Sequence, residues 1–199
     1  YYYLTTSVTL SDSDTWRPAD GTVLCLNGRT VKEFAFYKPD FDAITVDSGV
    51  TFSLTECASI QGYIYCAGSR GVHTVNNSGT FNMYNGRLRD TTSTADGAAV
   101  CNNGTFNMYG GTIKNNTAKN GGAFFSTTGG TIKMTGGTIS GNAATQSNND
   151  AGGGAIYMRG NGKIDISGSA EITGNSSSLD GGAILMGWGC LLYTSDAAD

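Results

Sequence analysis

The chain has 199 residues, of which 39% are hydrophobic, 30 are glycine and only 2 are proline. This apolar content exceeds that of a disordered glycine-rich linker and is sufficient for a domain with a buried core. Charged residues make up 14% of the chain, and the formal net charge is −4. The composition therefore argues against a nucleic-acid partner, which requires a surface that neutralises phosphates, and no stretch is apolar and long enough to span a bilayer.

The first 70 residues contain short apolar runs that alternate with polar residues and are divided by turn signals, at residues 7–12, 22–31, 43–57 and 62–66. Such runs predict β-strands. Residues 33–42 break the pattern and predict an excursion from it. Because the chain starts at Tyr1 rather than at a methionine, we expect it to be an internal fragment.

A repeat begins at about residue 71. A 12-residue phrase starts at Gly79, Gly104 and Gly130, with a looser copy at Gly162, so that successive starts are 25, 26 and 32 residues apart. A second phrase, Gly-Ala followed by apolar residues, keeps the same spacing. Repeats of this length predict stacked supersecondary units that bury their apolar faces against one another.

Each repeat contains three short apolar runs joined by glycine, asparagine or serine. We therefore predict an all-β fold, a right-handed parallel β-helix in which coils of about 25 residues stack ~4.8 Å apart and form three parallel sheets. Residues 1–189 are predicted to be one domain, with irregular N-terminal coils at 1–70 and regular repeats at 71–189. Polar insertions at residues 144–150 and 176–179 are predicted to protrude as loops from one edge.

Aligning the coils on their glycines predicts the interior of the solenoid. The second and third runs of each coil supply three apolar columns, namely Phe81, Phe106, Ile132 and Ile164; Met83, Met108, Met134 and Ile166; and Leu88, Ile113, Ile139 and Ile172. A one-residue slip would bury asparagine, lysine and aspartate instead, at a large desolvation cost. On the first run, the alignment places His73, Ala99 and Cys101 inside and Val100, Phe125, Tyr157 and Leu185 outside.

Four aromatic residues are predicted to point outward and to form a candidate ligand-binding surface, namely Tyr84, Tyr109, Phe125 and Tyr157. Outward rings with asparagine neighbours can stack on sugar rings or on partner side chains. The alternative is that rings stacked across neighbouring strands only stabilise the sheet, or that a loop covers them.

Two sets of polar residues recur at the turns. Asn116, Asn142 and Asn175 follow the third run and predict a hydrogen-bonded ladder, since asparagine tolerates left-handed backbone and can bond the same group on each neighbouring coil. The second set precedes the glycines that open the second repeated phrase, and its members are Asp96, Asp150 and Asp180. We interpret these aspartates as turn-capping residues, with a calcium site as the alternative. We predict no bound metal and no cofactor.

The cysteines do not have the spacing of a metal site. Cys25 and Cys57 fall on successive coils, which leaves open either a disulfide or unpaired buried thiols, and the state of Cys66 is open as well. The only histidine, His73, is expected to be a buried, hydrogen-bonded residue rather than a catalytic base.

No catalytic residues are predicted in the regular coils. A glycoside hydrolase needs a carboxylate pair roughly 5–10 Å apart, but among the outward positions of the second run only Asp165 is acidic. Acidic residues in the N-terminal coils keep an enzymatic alternative open, and these are Asp40, Asp42, Asp47 and Glu56.

Several phrases resemble known repeats. GGA followed by Phe or Ile, together with Ile-x-x-Asn starting at Ile113, Ile139 and Ile172, resembles the GGA[ILV] and FxxN repeats of polymorphic outer-membrane proteins. GGTISGN and LCLNG are similar to phrases of bacterial cell-surface and secreted right-handed β-helix proteins of the pectin-lyase-like class. The last ten residues, 190–199, resemble a translated transposase adapter of sequencing libraries, so we expect a non-native tail on a fragment of environmental DNA.

The resemblance implies an extracellular or cell-surface protein that serves as an adhesin or stalk. Its expected partners are glycans or host surface proteins. The fold alone implies no activity, because it carries both enzymes and inert spacers. The alternative function is that of a fragment of a polysaccharide lyase or glycoside hydrolase.

Overall fold

The computed structural model describes residues 1–11, 15–33, 41–67, 71–127, 129–146 and 152–195. Within these ranges all regular structure is β-strand and there is no helix. The strands, in chain order, are β1 (Tyr2–Tyr3), β2 (Val8–Leu10), β3 (Thr22–Cys25), β4 (Thr30–Glu33), β5 (Ile44–Val46), β6 (Thr51–Thr55), β7 (Tyr63–Cys66), β8 (Val75–Asn77), β9 (Thr80–Met83), β10 (Arg87–Arg89), β11 (Val100–Asn102), β12 (Thr105–Met108), β13 (Thr112–Lys114), β14 (Thr117–Ala118), β15 (Phe124–Ser126), β16 (Thr131–Met134), β17 (Thr138–Ser140), β18 (Ala143–Ala144), β19 (Ile156–Met158), β20 (Lys163–Ile166), β21 (Glu171–Thr173), β22 (Ser176–Ser177), β23 (Ile184–Met186) and β24 (Leu191–Thr194).

These strands stack in parallel into four sheets. The eight-stranded sheet has the order β1-β3-β6-β9-β12-β16-β20-β24, and the seven-stranded sheet has the order β2-β4-β7-β10-β13-β17-β21. The six-stranded sheet has the order β23-β19-β15-β11-β8-β5, and the three-stranded sheet has the order β14-β18-β22. The chain is thus a parallel β-solenoid of about six turns, which confirms the predicted fold class. Its right-handed sense stays a prediction.

The eight- and seven-stranded sheets have the predicted register. Phe81 pairs with Phe106, and Phe106 pairs with Ile132, on adjacent strands. Leu88 pairs with Ile113 in the seven-stranded sheet. All of these side chains are fully buried, as are Met83, Met108 and Met134 of the third column. Ile166 and Ile172, at the C-terminal end of their columns, are partly buried against the same core, so the three predicted columns form the interior.

Aromatic rings continue the interior column into the N-terminal coils. The ring centroids of Phe52 and Phe81 lie 5.4 Å apart, those of Phe81 and Phe106 lie 5.2 Å apart, and those of Phe106 and Phe124 lie 4.8 Å apart. These distances are within the range in which aromatic pairs attract one another beyond simple burial. The strands of residues 1–67 therefore share sheets and core with the regular repeats.

In the six-stranded sheet, β15, β19 and β23 pair as predicted, whereas β11 differs by one residue from the predicted register. Val100 pairs with Phe124 and is fully buried, so it points inward, whereas Cys101 pairs with Phe125 on the outer face. The cause lies in the corner glycines. Gly97 and Gly121 both have positive φ angles, of 75° and 57°, which identifies them as equivalent positions and shifts the strand that follows.

The three-stranded sheet was not predicted. Its strands begin directly after Asn116, Asn142 and Asn175, at the corner where insertions were expected to protrude as loops. Ala144 and Ser176–Ser177, which were expected in loops, therefore lie in paired strands. Residues 147–150 of the first insertion, and residues 34–40 of the predicted N-terminal excursion, lie outside the described residues.

The last described strand ends the eight-stranded sheet. Leu191–Thr194 pairs with Lys163–Ile166, and its four side chains are exposed. Residues 196–199 lie outside the described part of the chain. The origin of residues 190–199 stays a prediction.

Candidate functional site

Two exposed tyrosines stand side by side at the ends of neighbouring strands of the eight-stranded sheet. Tyr84 and Tyr109 are 50% and 46% exposed, and their rings stack with centroids 4.8 Å apart and an interplanar angle of 13°. The backbone N–H of Tyr109 donates to the carbonyl of Met83, which holds the two residues in register. The sheet therefore presents a preformed aromatic pair to solvent.

A row of amides lies beside this pair on the same outer face. Asn107 Nδ2 donates to Asn82 Oδ1 at 2.9 Å, and both residues are half-buried. Thr80 and Thr105 form the next outward row. Together, Tyr84, Tyr109, Asn82 and Asn107 define a tyrosine–asparagine face, in which neutral hydrogen-bonding groups flank two rings.

The other two aromatic residues of the predicted surface are inaccessible. Phe125 and Tyr157 lie on the outer face of the six-stranded sheet, but each is only 8% exposed. Their ring centroids are 5.6 Å apart with an angle of 37°. Both rings point outward as predicted, but they are covered, as in the alternative considered above, so the accessible part of the predicted surface reduces to Tyr84 and Tyr109.

The asparagines after the third run form a continuous ladder. Asn116 Nδ2 donates to Asn142 Oδ1, and Asn142 Nδ2 donates to Asn175 Oδ1, both at 2.9 Å. The same carbonyl oxygens accept the backbone N–H groups of Asn116 and Asn142 at 3.0 and 2.9 Å. Because Asn116 and Asn142 are fully buried, this ladder is structural rather than ligand-binding.

The corner that precedes the glycines of the second repeated phrase does not bring two described carboxylates together. Asn120 Nδ2 donates to Asp96 Oδ1 at 2.9 Å, and the backbone N–H of Gly152 donates to Asn120 Oδ1 at 3.0 Å. Gly152 bridges to Asp180 on the next coil. Asp96 and Asp180 are therefore about three strand spacings apart, or ~14 Å. Asp150 lies outside the described residues.

His73 forms a hydrogen-bonded cluster at the edge of the outer face rather than an interior contact. Its Nδ1 lies 2.8 Å from Asp42 Oδ1, and its Nε2 lies 3.1 Å from the carbonyl oxygen of Asp96. Asn76 Nδ2 donates to Asp42 Oδ2 at 2.9 Å. Burial raises the pKa of Asp42, but the contacts with His73 and Asn76 outweigh it and hold this pKa below its usual value.

Cys101 lines a small cavity beside this cluster. The cavity measures about 290 Å³ and is bounded by His73, Ala95, Asp96, Cys101, Lys119 and Phe125. Burial, with smaller contributions from Asp42 and Asp96, raises the pKa of the Cys101 thiol to about 11. The thiol therefore stays protonated at neutral pH, which disfavours it as a nucleophile or metal ligand.

Cys25 and Cys57 form a disulfide between adjacent coils, with Cα atoms 6.0 Å apart, whereas Cys66 is free and buried. The carboxylate of Glu56 lies within 4.8 Å of both sulfurs, a grouping that could hold a metal if the thiols were free. The disulfide removes both thiolates, and the Glu56 carboxylate already accepts backbone N–H groups. The group therefore does not fit a metal site in this state.

The Glu56 carboxylate is enclosed by backbone donors. Its Oε1 accepts N–H groups of Gly28, Cys57 and Ala58 at 3.0, 2.8 and 2.8 Å, and its Oε2 accepts that of Gly62 at 2.6 Å. Burial raises the pKa of Glu56, but these four donors outweigh it and lower the pKa below 4.5. The carboxylate thus joins the loop between β3 and β4 to the loop between β6 and β7, beside the disulfide.

We expect Glu56→Gln to lower the free energy of unfolding by about 2 kcal/mol at pH 7, because an amide offers one acceptor oxygen and opposes the remaining N–H groups. The wild-type pKa is depressed, so this contribution is complete above about pH 4.5 and is lost as pH falls through the folded-state pKa. Urea unfolding at pH 7 and pH 3 measures both effects. Asp20→Asn is the control, because Asp20 accepts a single N–H, that of Thr51. An equal stability difference at both pH values contradicts the prediction.

The acidic residues that kept an enzymatic role open are engaged in structural contacts. Asp42 holds His73, Asp47 pairs with Arg17, and Glu56 binds four backbone N–H groups. Asp165 neighbours Lys133 across the sheet rather than a second carboxylate. Asp40 lies outside the described residues.

A basic surface on the seven-stranded sheet was missed by the sequence analysis. We define the basic strip as the outward residues Lys32, Tyr63, Tyr65, Arg87, Arg89 and Lys114, which lie on four adjacent strands. The signal was present in the alternation of TVKE, YIYC, RLR and TIK. Reading it requires the register between coils, since these strands are dispersed over more than 80 residues.

The described part of the chain contains no helix that could cross a membrane. Comparison with protein-family models, with curated proteins and with solved structures found no match.

Proposed function

We propose that this protein is a non-enzymatic β-solenoid of the extracellular space or cell surface, which serves as an adhesin or stalk and contacts glycans through its tyrosine–asparagine face. The observation that carries the proposal is the exposed stacked pair of Tyr84 and Tyr109 at the ends of neighbouring strands. Each tyrosine keeps one ring face that the other tyrosine does not cover. An aromatic face next to amide groups matches a sugar ring, which has an apolar face and a polar rim. Similarity of the repeats to pectin-lyase-like and polymorphic outer-membrane sequences supports the same class of function.

The disulfide supports the extracellular part of the proposal. Disulfides persist in oxidising compartments and are rare in the cytosol. The bond between Cys25 and Cys57 closes a separation of 32 residues and fastens the irregular N-terminal coils. A protein displayed outside the cell gains resistance to unfolding from such a bond.

Binding to immobilised glycans tests the proposal. We expect the wild-type chain to bind a neutral oligosaccharide, a mucin or a matrix component, and Tyr84→Ala/Tyr109→Ala to bind at least about tenfold more weakly, a loss of about 1.4 kcal/mol. Tyr3→Ala is the matched control, since Tyr3 is 62% exposed but lies on the first strand. If the double variant binds as tightly as the wild-type chain, the tyrosine–asparagine face is not the binding site.

The same preparation decides between adhesin and enzyme. Wild-type protein incubated with plant and host polysaccharides is assayed for new reducing ends and for unsaturated ends. Their absence, together with binding, supports the adhesin. Release of either product contradicts the non-enzymatic proposal and favours the polysaccharide lyase or glycoside hydrolase.

A further inference from the structure

We propose that the basic strip of the seven-stranded sheet binds a polyanionic glycan, with its cations paired to sulfate or carboxylate groups. This inference rests on the proposed function and adds to it a second face with a different ligand chemistry. The tyrosine–asparagine face is neutral, whereas the basic strip collects charge on another side of the same solenoid.

The strip has a regular geometry. Arg87 pairs in register with Tyr63 and with Thr112, and Arg89 pairs with Lys114. Lys32 pairs with Tyr65 on the adjacent strands of the N-terminal coils. Since neighbouring strands are ~4.8 Å apart, the strip extends over about 14 Å along the solenoid axis.

Two cations of the strip lie over tyrosine rings, and a third is hydrogen-bonded to an amide. The Arg89 guanidinium carbon lies 5.0 Å from the Tyr63 ring centroid, and the Lys32 ammonium lies 6.0 Å from that of Tyr65. Arg87 Nε donates to the neutral amide of Gln61 at 2.7 Å. Arg87, held by a neutral amide, keeps its charge while losing conformational freedom, which lowers the entropic cost of binding an anion.

Positive groups outnumber negative groups among the described residues of this face. Four of the 12 lysine and arginine residues of an acidic chain lie here. No carboxylate projects outward from the four strands of the strip, since the only acidic residue within them, Glu33, is buried. Asp90, after the third of these strands, pairs with Arg89. Arg87 and Lys114 have no carboxylate partner among the described residues, so the face retains net positive charge.

The density of this charge suits a glycan better than a nucleic acid. Duplex DNA carries one negative charge per about 1.7 Å, and a protein that binds it neutralises many phosphates at once. Cations along the strip are spaced roughly two to three times as far apart as the charges along duplex DNA. The molecule as a whole has a net charge of −4. A polysaccharide with one anionic group per sugar or disaccharide presents a comparably sparse row of charges.

Affinity for immobilised heparin and for polygalacturonate, which distinguish sulfate from carboxylate, tests the inference. We expect wild-type protein to bind at least one of them, with affinity that falls as salt rises. Arg87→Gln/Arg89→Gln/Lys114→Gln is expected to bind at least tenfold more weakly, or about 1.4 kcal/mol. The control is Lys119→Gln/Arg159→Gln/Lys163→Gln, which removes the same charge elsewhere and is expected to bind like wild type.

Two further measurements keep the outcome unambiguous. Arg87→Gln/Lys114→Gln leaves the Arg89–Tyr63 contact intact and is used if the triple variant unfolds at a lower temperature. Tighter binding of duplex DNA than of either glycan, or equal weakening by the control variant, overturns the inference. If wild type binds neither polyanion but still binds a neutral glycan through Tyr84 and Tyr109, this inference fails and the proposed function stands.

Discussion

Replacing Asn142 by alanine is expected to lower the free energy of unfolding by about 4 kcal/mol. The side chain accepts the backbone N–H and the Nδ2–H of Asn116, and it donates to the carbonyl of Ile113 at 3.1 Å and to Asn175 Oδ1. Alanine leaves the buried N–H of Asn116 without its side-chain acceptor and leaves further polar groups unsatisfied. An unsatisfied buried group costs about 1–3 kcal/mol, and at least two are created here.

Asn107→Ala is the matched control for this experiment. Asn107 also bonds an asparagine of the neighbouring coil, Asn82, but on the outer face, where water replaces the lost contact. We expect a change of about 0.5–1 kcal/mol for the control. Denaturant unfolding followed by circular dichroism measures both variants. Equal losses of unfolding free energy for Asn142→Ala and Asn107→Ala would contradict the prediction that burial increases the contribution of the ladder to stability.

The ladder also explains why much of the fold could be predicted from the sequence. In a solenoid, each coil contacts its neighbours in register, so one physical requirement is repeated at every coil. A slip at Phe106 would bury Asn107 in the apolar interior, and the same penalty recurs at each repeat. The columns that contain Phe106, Ile113 and Asn142 were therefore strongly determined by periodicity.

The register of the six-stranded sheet was less well determined. The run that contains Val100 and Cys101 is apolar at successive positions, so neither register is excluded by desolvation. The deciding feature is the left-handed backbone of Gly97 at the corner, which matches it to Gly121. A φ angle is not visible in a sequence where several glycines and alanines stand together.

The candidate binding surfaces were predicted only in part, for a similar reason. Alternation states which side of a strand a residue occupies, but not what packs over that side. Tyr109 and Tyr157 both point outward, yet one is 46% and the other 8% exposed. The basic strip could not be predicted because its residues are far apart in the sequence. Lys32 and Lys114 belong to one surface only because four coils stack in register.

Breaking the Cys25–Cys57 disulfide is expected to lower the free energy of unfolding by about 3–4 kcal/mol. The bond closes a separation of 32 residues, and the chain-entropy estimate for a loop of that size gives this value. It links the last residue of β3 to a residue two positions after the end of β6, and these strands are neighbours in the eight-stranded sheet, where the backbone N–H of Leu26 also donates to the carbonyl of Thr55. Its loss therefore loosens the N-terminal coils first.

Cys25→Ala/Cys57→Ala, unfolded in denaturant with and without a reducing agent, measures this contribution. Reduction should destabilise the wild-type chain to the level of the double variant, and it should leave the double variant unchanged. Cys101→Ser controls for loss of a half-buried thiol and should respond to reduction as wild type does. Alkylation of both Cys25 and Cys57 in the folded, unreduced protein contradicts the prediction.

Because Glu56 gathers its four N–H donors beside this bond, the double variant should also weaken the effect of Glu56→Gln, since the two features hold the same pair of coils.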